Sequence, residues 1–131
     1  MIMKIPQKIL ARQNEITSDY LTELDKHLAD ILTGRAEDMF EIKQLADILH
    51  IHPVHLTNTV KLVTGKHPCY FFEHKILEIA KQKLKENKLS INAIASLLTY
   101  DPSNFTKWFK KFQGTTPTAY RNEFSMKVVV E

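Results

Sequence analysis

The chain has 131 residues, 44% hydrophobic and 25% charged, with only three glycines and five prolines; it suits one globular domain and is too glycine-poor for the tight turns of an all-β one. A single cysteine excludes an internal disulfide, and no apolar run approaches the roughly 20 residues that cross a bilayer. The net charge of +3 is too mild to indicate an anionic partner by itself, and Met1–Pro6 lacks the apolar stretch of a secretory signal, so a cytoplasmic location is expected.

The first predicted element is an amphipathic helix over 18–33. Ser18 caps it, Leu21, Leu24, Leu28, Ile31 and Leu32 form its apolar stripe, and Gly34 follows its end. It is expected to pack on the next elements as an added core helix, or else to serve as a dimerisation surface or a linker to a sensing domain; residues 1–16 show no assignable pattern. Ile42, Leu45, Ala46 and Leu49 then recur at helical spacing. After His50-Ile51-His52, Pro53 stands where the first position of a helix tolerates it, Leu56, Val60 and Val63 make the buried stripe, and Gly65 ends the helix. Residues 69–86 form one long helix with Phe72, Ile76, Leu77, Ala80 and Leu84 inward. Ser90 caps a helix bearing Ile91, Ile94, Ala95 and Leu98. Asp101 caps another that opens at Pro102, is buried by Phe105, Phe109 and Phe112, and stops at Gly114. Trp108, beside that stripe, is expected at the edge of the core.

The chain repeats itself. Laid over 91–117, residues 42–68 match without gaps at Ile42/Ile91, Ala46/Ala95, Leu49/Leu98, Pro53/Pro102, Thr57/Thr106, Lys61/Lys110, Gly65/Gly114 and Pro68/Pro117. Eight identities stand against roughly two expected from average residue usage. Each unit is a helix, a short turn and a second helix, the helix-turn-helix plan, with a small alanine where two steeply crossing helices come closest. Charge follows the repeat: residues 36–52 sum to −3, whereas 53–66 and 102–121 carry lysines and Arg121 with no acid. The helix between the units spans about 27 Å, against about 34 Å between successive major-groove faces of B-DNA. Duplex DNA is therefore the expected partner, and the fold class is all-α, two helix-turn-helix subdomains joined by a long helix, about seven helices in total.

Rival chemistries are weaker. His50, His52 and His55 near Cys69 raise a metal site, but a turn and an amphipathic helix do not converge four ligands tetrahedrally. Cys69 has no activating neighbour and reads as a buried residue at a helix start. No phosphate loop, nucleophile–base pair or carboxylate pair is present, so neither an enzyme nor a cofactor or metal is expected.

These residues resemble the DNA-binding domain of the AraC/XylS family of bacterial transcription regulators. The resemblance covers roughly 40–124. It rests on Leu45-Ala46, Pro53, Leu56, Lys61 and Thr64-Gly65 in the first unit. In the second it rests on Ile94-Ala95, Tyr100 to Ser103, Phe105, Phe109-Lys110-Lys111, Gly114, Pro117 and Tyr120-Arg121. It implies an N-terminal segment 1–35, an AraC-type domain 36–124 and a tail 125–131; within the domain the first helix-turn-helix is 42–65, the linker helix 69–86 and the second 91–114. It also implies sequence-specific DNA binding by two recognition helices in successive major grooves, regulation of transcription at the nucleoid, and RNA polymerase as a possible partner. The family's turn glycines are His50 and Thr99 here, a left-handed position that histidine tolerates and β-branched threonine strains. Its usual arginines are Asn58 and Ile76, which implies a weaker or differently reading first unit. Family members usually carry a further sensing or dimerising domain, so the chain is expected to be either a stand-alone reader or a piece of a longer one, monomeric or dimerising through 1–35.

On the outward faces, His55, Asn58, Ser103, Asn104 and Lys107 are the expected base contacts, since residues near a recognition helix's N-terminus go deepest into the groove. Thr57, Lys61, Thr106, Lys110, Lys111 and Arg121 are the expected phosphate contacts, which add affinity without sequence information. The alternative is a protein-interaction module whose lysines only solubilise it; salt-dependent binding to random duplexes separates the two.

Overall fold

In the computed structural model, the backbone of residues 7–130 and the side chains of residues 7–124 are described; the expectation for Met1–Pro6 and the end of the tail, Glu131, lie outside them. Among the described residues there are seven α-helices and no strand: α1 (Gln7–Leu32), α2 (Ile42–Ile48), α3 (Pro53–Thr64), α4 (Pro68–Glu86), α5 (Ile91–Leu97), α6 (Pro102–Gln113) and α7 (Pro117–Val130). They cluster into two compact units, the first made of α1 up to Asp30 with Phe40–Phe72, the second of Ile31–Met39 with everything from Glu73 onward. The backbone of 125–130, assigned to a tail by sequence, continues α7.

In unit 1, α2 packs on α3, burying Leu45 and Ala46 against a stripe of Leu56, Thr59 and Val60. α1 begins eleven residues before Ser18, which sits exposed in mid-helix and caps nothing. The stretch 7–17 holds no glycine or proline and many good helix formers, so propensity carries the helix through it. The buried stripe is also rotated, to Ile16, Tyr20, Leu24, His27 and Leu28, leaving Leu21 and Leu32 only half-buried. Tyr20 decides the rotation: its hydroxyl donates to the Pro68 carbonyl at 2.8 Å. Pro68 is therefore the buried residue of the first turn of α4, and Cys69, expected inside, is exposed.

His27 is a polar member of that core, with Thr17 and Thr59. It is 4% exposed, stacks on Phe40 at 4.0 Å between ring centroids, and accepts the Phe40 N–H at Nε2 over 2.9 Å. Accepting there requires a neutral ring with its proton on Nδ1. Burial, opposed in part by the charge of Asp30, holds its pKa below the ordinary histidine value of 6.5. The stabilisation is thus intact above that unfolded-state value and lost as pH falls from it through the lower folded one. The urea midpoint is expected to drop between about pH 7.5 and pH 5.5. His27→Gln, which keeps an acceptor but does not titrate, should flatten that dependence.

In unit 2, α5 packs on α6 and α6 on α7. Phe105 and Phe109 are fully buried, with Phe109 edge-on to Tyr120 at 5.6 Å. Trp108 lies half-buried at the core's edge, stacked on Tyr100 at 5.3 Å. Some stripe members differ from expectation: Ile42, Leu49 and Val63 of unit 1 and Ile91 of unit 2 are half-buried, and Phe112 is 42% exposed.

The two turns are built alike. The Ile51 N–H donates to the Ala46 carbonyl and His50 N–H to Asp47; Tyr100 and Thr99 repeat this on Ala95 and Ser96. This helix-ending motif needs a left-handed residue in its middle. His50 at φ 59° and Thr99 at φ 67° supply it. A left-handed L-residue costs about 1–2 kcal/mol, and β-branching adds to it. Thr99→Gly is therefore expected to stabilise unit 2 by about 1 kcal/mol after glycine's extra unfolded-state entropy is subtracted, read as a higher urea midpoint.

Candidate nucleic-acid interface

The second helix of each unit is set at its N-terminus by a side chain. His52 accepts the Val54 N–H at Nδ1 over 3.1 Å, with Pro53 in the first helical position, where a missing N–H leaves nothing unpaired. Asp101 makes a fuller cap: its Oδ2 accepts the Ser103 hydroxyl at 2.7 Å and the amides of Ser103 and Asn104 at 3.2 and 3.4 Å. The Ser103 hydroxyl foremost, then the Asn104 amide, and more weakly the charge of Lys107, hold the Asp101 carboxyl below the usual carboxylate range. Composition does not mark His52 as a cap; the overlay of the two repeats, which sets it on Asp101, does.

At about 100° per residue, the outward centre of α3 is Val54, Asn58 and Lys61, opposite the buried Leu56, Thr59 and Val60. His55 and Leu62 flank it on one side and Thr57 on the other. On α6 the same positions are Ser103, Lys107 and Lys110 at the centre, with Asn104 and Lys111 on one flank and Thr106 on the other. The two faces differ in chemistry. α6 exposes three lysines, whereas α3 exposes Lys61 and two apolar groups, Val54 at 59% and Leu62 at 54%.

Of the residues expected at bases, His55, Asn58, Asn104 and Lys107 are exposed on these faces. Ser103 is exposed as well, but its hydroxyl proton is committed to Asp101, leaving it to act as an acceptor. Of those expected at phosphates, Lys61, Lys110 and Lys111 are exposed, while Thr57 and Thr106 are half-buried. The Thr106 hydroxyl donates to the Pro102 carbonyl at 3.1 Å. Arg121 is the clear departure: its Nε and Nη2 donate to the carbonyls of Leu84 (3.3 Å) and Leu89 (2.6 Å). Those carbonyls lie at the end of α4 and in the link to α5, so the guanidinium clamps unit 2 together. No periodicity or charge count reveals that contact. Among the described residues no three His, Cys, Asp or Glu side chains gather as a metal site.

A family model described as a helix-turn-helix domain matches residues 45–123. The "Uncharacterized HTH-type transcriptional regulator YobQ" of Bacillus subtilis (strain 168) is 38% identical over 82 residues, 62% of this chain and 34% of that protein. The C-terminal domain of AraT, a response regulator from Geobacillus stearothermophilus, superposes with a TM-score of 0.71 at 26% identity, over 82% of this chain and 84% of that one. The DNA-binding domain of AdpA, solved in complex with a target DNA, shares the fold at a TM-score of 0.64 and 18% identity, over 77% of this chain and 95% of that one. The chain spans about a third or less of the length of the curated relatives it matches.

Proposed function

Since the chain belongs to the AraC/XylS-type helix-turn-helix domain family, we propose that it binds duplex DNA sequence-specifically through α3 and α6 and thereby regulates bacterial transcription. One observation carries the reading: α6 exposes Lys107, Lys110 and Lys111 along a stretch, 102–121, that holds no acid. Recognition helices of this kind place their N-terminal residues at base edges and their lysines at phosphates. In this reading α3 and α6 enter successive major-groove segments, with Asn58, Asn104 and Lys107 at bases and Lys61, Lys110 and Lys111 on the backbone. His55 lies beside the first set. Two such helices of different surface chemistry on one chain, together with the family resemblance, support a single copy serving an asymmetric site, in the cytoplasm at the nucleoid. RNA polymerase is the proposed protein partner, on family resemblance alone.

The test is selection of bound duplexes from a random pool, followed by titration of the selected duplex against salt. Contacts to about four to six phosphates predict a log–log slope near −4 to −5. Enrichment of one sequence with that slope supports the function. No binding at low salt overturns it in favour of a protein-interaction module.

A further inference from the structure

The outward centre of α3 holds an apolar group at the place where a reading helix goes deepest. Val54 is the second residue of the helix, 59% exposed, and in line with Asn58 and Lys61 one and two turns on. Nothing in unit 1 accounts for a valine there. It caps no helix end, since His52 does that, and β-branching loses side-chain freedom in a helix rather than favouring it. The matching position of α6 is polar Ser103, tied into the Asp101 cap. Leu62, the other apolar residue of this face, lies in the last turn and on the flank, away from the helix N-terminus.

In the major groove, base edges present donors, acceptors and one apolar group, the C5-methyl of thymine. We infer that Val54 reads a thymine methyl in the DNA segment facing α3, which makes it a specificity-determining residue beside Asn58. This rests on the DNA-reading function proposed above. It also accounts for how a face with one lysine discriminates: α6 supplies charge, whereas α3 supplies shape and an apolar contact. His55, on the flank, then stands farther from the base edges than Val54 does.

The experiment uses the full chain and the duplex it enriches from a random pool. Each thymine is replaced in turn by deoxyuridine, which deletes the methyl and leaves every hydrogen-bonding edge in place. Affinities of the wild type and of Val54→Ala are read by fluorescence anisotropy. At one or two positions uracil is expected to weaken the wild type about fourfold, the worth of one buried methyl. Val54→Ala should be weaker by a similar factor on the thymine duplex and lose nothing further on the uracil one. Its urea midpoint should be no lower than that of the wild type, because the side chain lies outside the core and alanine is the better helix former. Two results overturn the inference while leaving DNA reading intact: no thymine at which uracil matters, or a uracil loss as large in Val54→Ala as in the wild type. A chain that enriches no duplex overturns the function, and this inference with it.

Discussion

Replacing Lys107, Lys110 and Lys111 together by alanine is expected to weaken binding to duplex DNA by between about 10²- and 10³-fold at about 0.1 M salt. All three ammonium groups are exposed on α6, and no acid between 102 and 121 neutralises them. A lysine seated on a phosphate releases a condensed counterion, so each contact removed flattens the log–log salt dependence by about 0.9. With Lys110 and Lys111 the two on phosphates, the triple change should therefore flatten the slope by about 1.8 units, and that part of the affinity loss should vanish toward 1 M salt. Single variants divide the work. Lys107, on the outward centre two turns from the end of the helix, should relax base preference at one position, whereas Lys110→Ala should weaken all sequences alike. Alanine is the best helix former, so an unchanged unfolding curve serves as the control. Equal affinity and slope in the triple variant and the wild type would sink the assignment of α6 as the electrostatic anchor.

Phe109→Ala is expected to be the most damaging single core substitution in unit 2, at about 3–5 kcal/mol. The ring is fully buried, 6.0 Å from Phe105 and 5.6 Å from Tyr120 between centroids. Its removal leaves a cavity and forfeits two aromatic pairs. Whole-domain stabilities run to about 5–15 kcal/mol, so a loss of this size puts α5, α6 and α7 near the edge of folding at 37 °C. The readouts are a lower urea midpoint and faster amide exchange in α5–α7 than in α2 and α3. A destabilisation under about 0.5 kcal/mol, the size of an ordinary surface change, would show that the aromatic cluster does not hold unit 2. The two predictions are separable: the lysine variant loses DNA and keeps its fold, and the phenylalanine variant loses both.

The caps at Ser90 and Asp101 and the left-handed stops at Gly65 and Gly114 are all where the sequence places them. So are Leu45, Ala46, Ile94 and Ala95 in the cores. Each of these rests on neighbours within four residues, which is the range over which capping chemistry and helical periodicity act. The left-handed turns at His50 and Thr99 were legible through the family resemblance and not through the residues themselves, since histidine only tolerates that conformation and threonine disfavours it. The site was legible in part: the outward lysines follow from the same periodicity, but its geometry turned on contacts between distant residues.

Tyr20 reaches Pro68 across 48 positions, and Arg121 reaches Leu84 across 37. The first rotates the stripe of α1 away from Leu21, and the second commits two nitrogens of a guanidinium expected at phosphates. Phe112 looks inward by spacing and is nonetheless 42% exposed. By itself, then, the sequence determined the helices of the two repeats, their ends and the duplication, because hydrogen bonds along the backbone and the 3.6-residue period are properties of short stretches. Only the tertiary structure decided which side chains remain available to a partner, because a donor or an apolar group is spent or spared by whatever packs against it, and that neighbour is chosen by the fold.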